Sequence, residues 1–433
     1  MLLDSLLSDV SSIVNRILPE STRVILFSII VGIAVISGSR LVLHDTTKLR
    51  VEHNSKKNVL YLISLTLPVI QYVIIGLLIL VALEIILTSQ YFVLIPIIAL
   101  VLSWSTGAIV MGIMSFKFLQ WYKAKRNLLV LLYLISSSMF CATLGSTIVP
   151  QTLVTLQKSP LFVNSYSVET KPFQANPEQL NVLFFIISIA NWLIIPLSFI
   201  IWAAIAIMLN SYSKTFGRLK FWIMLSAPLV FVIVGDVSLL VLVPSINSIF
   251  DQQVIIYSMM AFGGMLTEGF LLAFAFITIS KSIKTKSDSK LNYYLSISAR
   301  GVAILFVSFF ANPSSGSYLP FGIISASFFA FGTYLFFSGI YSSAISIASD
   351  IRLRKTIKES FLDQSKLLDN IGMADFDRKL DNQTDEILKR HKEVMEKETG
   401  IEPSISDVEA KRYVREVIEE IQKTKGVKPF NGK

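Results

Sequence analysis

Nine apolar stretches, separated by hydrophilic gaps, fill the first 350 residues of a 433-residue chain. A helix that crosses hydrocarbon needs roughly 20 apolar residues at ~1.5 Å each. Stretches of this kind run at 24–43, 59–88, 91–114, 127–150, 181–209, 221–244, 254–280, 291–312 and 319–347. The pattern predicts an all-α fold, a polytopic integral membrane helical bundle of about nine spans over 24–347. The second stretch is long enough to tilt or to kink at Pro68. Arg300 interrupts the eighth.

Polar positions give this bundle an orientation. Four alternate gaps hold sixteen basic residues, from Arg40 and Lys48 in the first to Lys286 and Lys290 in the last. The opposite side holds four, Arg16, Arg23, Lys158 and Lys171. Cytoplasmic loops carry the excess of Lys and Arg, so the N-terminus is expected outside and the C-terminus in the cytoplasm. Residues 1–23 repeat Leu3, Leu6, Leu7, Val10, Ile13, Val14, Ile17 and Leu18 near a helical period. This suits an outer interfacial amphipathic helix, with an apolar lead-in to the first span as the plainer reading. The stretch at 151–180 is the longest outer loop.

Beyond the spans, 348–433 reads as a cytoplasmic helical, coiled-coil-like region. DIRLRKTIKESFLDQSKLLDNIG has no Pro or Gly before Gly372, and Ile357, Phe361, Leu368 and Ile371 share one face. Span nine is therefore expected to continue into the cytoplasm as an amphipathic helix. Phe376, Leu380, Ile387 and Val394 mark a second helix; Ser406 and Glu409 form a capping box for a third. Their apolar faces need cover, which predicts a cytoplasmic protein partner or self-association through 351–424. These helices are too short and too few for an independent enzyme domain.

Composition agrees with a lipid-soluble chain: 53% hydrophobic, 16% charged, mean hydropathy +0.63. The net charge of +9 lies mostly in the membrane part, facing anionic lipid, and calls for no nucleic acid. One cysteine, Cys141, excludes an internal disulfide. His44, His53 and His391 all lie outside the spans, so no buried histidine metal or haem site is expected. No P-loop, Gly-rich nucleotide loop or Ser–His–Asp pattern occurs, so no catalytic residues, cofactor or metal are assigned and an enzyme is not expected.

Ionisable groups at membrane depth are costly and are functional candidates by default. Asp236, Glu268 and Arg300 lie inside three consecutive spans and form a candidate intramembrane charge network. Counted from the outer span ends, Glu268 and Arg300 lie ~21 Å and ~18 Å deep, which predicts an ion pair between them. Asp236 lies ~12 Å deep and is expected to be unpaired. The network either binds a proton or cation, or fixes helix register. Gln71, Trp104 and Asn191, with Ser105 and Thr106, are candidate cavity-lining polar residues. Gly263, Gly264 and Gly269 flank Glu268 and permit close helix approach. Pro96, Pro196 and Pro228 are candidate kink sites of the sort found in transporters.

The segment SSAISIASDIRLRKTIKESFLDQSKLLDNIGMADFDRKL resembles the end of a group of uncharacterised archaeal polytopic membrane proteins, in which a multi-span region passes directly into a short cytoplasmic helical segment. The layout is also similar to the membrane input regions of multi-span sensor kinases, without the kinase. Neither resemblance carries a functional residue to this chain. The expectation is a multi-pass cell-membrane protein in contact with lipid that senses a signal and transmits it through span nine. The alternatives are a secondary transporter or proton-coupled permease using Asp236, Glu268 and Arg300, and a structural subunit of a membrane complex.

Overall fold

The computed structural model describes residues 20–52, 59–88, 90–92, 94–124, 126–158, 162–164, 177–210, 217–242, 250–284, 289–310 and 323–349, with Asp385 and Glu409. The helices are α1 Glu20–Glu52, α2 Val59–Thr88, α3 Leu94–Ala124, α4 Leu128–Lys158, α5 Pro177–Leu209, α6 Arg218–Leu242, α7 Phe250–Lys284, α8 Ser289–Phe310, α9 Ile323–Ser327 and α10 Phe329–Ser349. Each apolar stretch of the sequence falls on one of them, and the last falls on α9 and α10 together. Almost all of 1–23, and the predicted cytoplasmic helices of 351–424 apart from Asp385 and Glu409, lie outside the described residues.

Five helical segments are long and apolar enough to cross a membrane: Leu62–Leu87, Leu94–Ala124, Leu128–Pro150, Trp192–Leu209 and Lys290–Phe309. Ile25–Gly38 and Leu219–Phe231 are shorter apolar segments. Ile25, Ile29, Ile33 and Ile36 on α1 and Leu62, Val69, Val73 and Leu80 on α2 all face outward. So continuous an apolar surface suits lipid tails and not water. The chain thus has the build of a multi-pass membrane protein.

Two three-residue strands depart from the all-helical expectation. β1, Gln90–Phe92, pairs antiparallel with β2, Phe162–Asn164, with Tyr91 opposite Val163. The Phe92 N–H donates to the Glu84 carboxylate at 2.9 Å. Glu84 thus serves the end of the strand beside its own helix.

α10 is the centre of the bundle. Every residue from Ile324 to Ala344 is buried, and α10 packs on α8 above all, then on α3, α2 and α1. It nevertheless carries Gly332, Thr333, Ser338, Gly339, Ser342 and Ser343 along its length. The two facts have one cause. A lipid-facing helix must be apolar, whereas helices enclosed by protein associate through small residues that let backbones touch.

Three glycines bring α8 and α10 together. A Cβ on Gly332 would fall 2.7 Å from the Leu305 amide nitrogen, and one on Gly339 would fall 2.7 Å from that of Ser298. From the other side, Gly301 leaves no room for a Cβ against the Phe336 amide and the Leu335 carbonyl carbon, 2.8 Å away. All three contacts obey one antiparallel register. At the neighbouring interfaces, Gly38 and Gly107 receive the rings of Phe328 and Phe329.

Gly301→Ala should lower stability in detergent by ~1–3 kcal/mol, the usual cost of overpacking against a backbone that cannot yield. Gly76→Ala is the control, since nothing lies within 4 Å of its position. It should be neutral or stabilising by up to ~1 kcal/mol through helix propensity. Thermal unfolding of the two variants reads the difference.

Candidate intramembrane site

The ninth stretch is broken at Phe328, between α9 and α10, without a proline. The Phe328 N–H bonds to the Ser325 carbonyl at 3.1 Å, and the Ser327 hydroxyl donates to the Ile324 carbonyl at 2.6 Å. Carbonyls near such a break find no water in hydrocarbon and need a partner from another helix. Ser103 of α3 supplies it, donating toward the carbonyls of Ala326 and Ser327 at 2.9 and 3.0 Å. Gln71 Nε2 of α2 donates to the same Ser327 carbonyl at 3.3 Å. Gln71 and Ser103 each lie nine residues, ~14 Å, inside the first residue of their own span (Leu62 and Leu94). The break is therefore deep in the bundle.

Glu268 of α7 is 1% exposed, and neither carboxylate oxygen has a hydrogen-bond partner. The Ser198 hydroxyl of α5 is the polar group nearest it, short of hydrogen-bond geometry. Ser198, Thr143 of α4 and Ser308 of α8 are also buried with unpartnered hydroxyls. Most serines and threonines in these helices bond back to the preceding turn, as Ser136, Thr147, Thr267, Ser298, Thr333 and Ser343 do. The three orphans do not.

These four groups share a level. A small cavity of about 20 Å³ lies inside the bundle, with Phe140, Ile201, Leu272 and Leu305 in its wall. It has room for about one water. Thr143, Ser198, Glu268 and Ser308 stand three or four residues from those four wall residues, hence on the same helix faces. On all four helices the step leads toward the same end of the bundle, because α4 and α8 run opposite to α5 and α7. The four oxygens therefore stand at one level of the bundle, a ring in height, one turn above a largely apolar cavity. The α8–α10 register that seats Gly332 at Leu305 sets Ser308 opposite Phe329, so the helix break lies level with the ring.

The residues singled out in the sequence divide accordingly. Glu268 is at the ring, and Gln71 holds the break. Trp104 is buried with its indole N–H unpartnered, two turns from the cavity residue Met111 on the same face of α3. The side chains of Asn191 and Asp236 lie outside the described set. Asp236 is five residues beyond Phe231, which packs at Gly263, and so stands ~15 Å from the level of Glu268.

The Glu268–Arg300 pair is not formed. Gly269 packs on Phe306, and the Ser280 hydroxyl bonds to Asn292, which fixes the α7–α8 register. That register puts Arg300 opposite Leu272 to Ala275, ~6–10 Å below Glu268. Arg300 Nε points back along its own helix to the Ser296 carbonyl at 3.4 Å. Depth counted from the outer ends of the two stretches makes the groups level; the register set at Ser280–Asn292 agrees with the other ends of the stretches and puts the two groups on different turns.

Compared with family models, curated proteins and solved structures, the chain matches none. The likeness of its C-terminal segment to archaeal polytopic membrane proteins therefore assigns no family.

Ser103→Ala should cost ~1–3 kcal/mol, the penalty for leaving a buried carbonyl unsatisfied. Gln71→Leu should cost less, since Ser103 still covers Ser327. The double variant should lose more than the sum of the two by at least ~0.5 kcal/mol, because both side chains serve one carbonyl. Chemical or thermal unfolding of the four proteins completes the cycle.

Proposed function

We propose that this chain is a nine-span membrane protein, N-terminus outside and C-terminus cytoplasmic, that acts as a secondary transporter coupled through Glu268 to a proton or a small cation. One observation carries the proposal: a carboxylate buried in the bundle with, among the described residues, no cation beside it and only the Ser198 hydroxyl near it, level with a broken helix. An uncompensated carboxylate at this depth costs several kcal/mol. The group is neutral when it holds a proton or a cation, and a coupling site is one where that proton or cation exchanges. Broken helices beside such a site recur in transporters, where unwound backbone lies near the ion. Arg300 stands one to two turns away and Asp236 about three, so they flank the path along the bundle and do not share the Glu268 site.

A second reading, signal transmission through span nine, draws support from the central position of α10. Packed on four other helices, it would feel any rearrangement among them and pass it to the region at 348–433. In that reading Glu268 would sense a proton level; transport is preferred because the carboxylate lies beside a helix break of the kind found at transport sites.

In proteoliposomes the wild-type protein should move protons or alkali cations down an imposed gradient. Glu268→Gln should abolish the coupled flux, while Gly76→Ala retains it. Folded wild-type protein that moves neither would overturn the proposal. For topology, cysteines placed at Gln90 and Lys123 in a Cys141→Ala background should label from opposite sides, Gln90 from outside. Labelling of both from one side would contradict the nine-span arrangement.

A further inference from the structure

We infer that Glu268, together with the hydroxyls of Thr143, Ser198 and Ser308, binds one dehydrated monovalent alkali cation. The inference deepens the transport proposal and rests on it only for the ion's purpose, not for its binding. Four helices contribute oxygen to one level, and none of these oxygens makes a well-formed hydrogen bond, though the Ser198 hydroxyl stands beside Glu268. Four buried polar groups without a well-formed hydrogen bond at one level, two of them the neighbours Ser198 and Glu268, are unusual in a core where the great majority are paired. A shared ligand satisfies all of them together.

The ligand's chemistry follows from the donors. All are oxygens, from one carboxylate and three hydroxyls, which is the set a hard cation takes and a soft transition metal does not. The ring supplies one negative charge. Among the described residues no three His, Cys, Asp or Glu side chains gather to hold a metal, so a divalent ion would remain half-compensated in low dielectric. A monovalent ion leaves the site neutral. A bound proton would neutralise Glu268 as well, but it needs one acceptor and leaves two or more of the hydroxyls still unpartnered. The Arg300 guanidinium does not compete, since it lies one to two turns below and its Nε turns to Ser296.

The test is calorimetric titration of sodium chloride into the full-length protein in detergent and choline buffer at fixed pH, with potassium chloride as a second titrant. Wild type should bind about one ion per chain. Glu268→Gln should abolish binding, and Ser198→Ala should weaken it ~10-fold, the equivalent of one lost ligand of ~1.4 kcal/mol. Unfolding curves confirm that the variants are folded; should Glu268→Gln fail to fold, the Ser198→Ala and Ser308→Ala pair carries the test. No binding of either ion by folded wild type, or binding unchanged in these variants, overturns the inference. Proton flux in proteoliposomes that needs neither sodium nor potassium overturns the cation site while leaving transport standing. Sodium binding without any flux supports the site and removes the transport proposal.

Discussion

Hydrocarbon offers no hydrogen bonds, and every polar group in this bundle is held to that constraint. At the Phe328 break the protein meets it from its own resources, spending Ser103 and Gln71 on carbonyls that water would otherwise cover. One turn above the central cavity it does not. There Glu268 and three hydroxyls are left without protein partners. The contrast between a satisfied irregular backbone and a carboxylate without a well-formed bond at the same level is the basis of the proposal that Glu268 takes a ligand from outside.

The second organising feature is the close approach of α8 and α10. Gly301, Gly332 and Gly339 let the two backbones touch in a single register, and dispersion across such an interface drives helix association where lipid cancels the hydrophobic effect. With α3 locked on through Gly107 and Phe329, these helices form a unit that cannot slide without expelling a side chain. Ser308 of this unit stands level with Thr143 of α4, Ser198 of α5 and Glu268 of α7. α5 meets α6 and α7 through much smaller contacts than those that hold α8 to α10.

Helix existence was legible in the sequence because lipid solubility writes itself as length and apolarity: the nine stretches coincide with the described helices. Glu268 was legible too, since a lone carboxylate inside a span is rare. What the pattern did not carry is register. Equal depth counted from outer ends paired Glu268 with Arg300, whereas glycine contacts at Gly269 and the Ser280–Asn292 bond place them on different turns. The break at Phe328 was invisible because it uses no proline, while Pro68, Pro150, Pro196 and Pro228 all sit within continuous helices. Ser103, Thr143, Ser198 and Ser308 went unmarked because hydroxyls abound in membrane helices and most bond to their own backbone. Only the packing tells the orphans apart.

The central claim is that the charge of Glu268 is neutralised by a ligand that comes and goes. Infrared difference spectroscopy of the reconstituted protein tests it most directly, by exchanging sodium for choline and comparing wild type with Glu268→Gln. A carboxyl or carboxylate band that shifts with the ion and is missing in the variant is the result expected. A difference spectrum that is the same in both proteins, under sodium, choline and a change of pH alike, would contradict it.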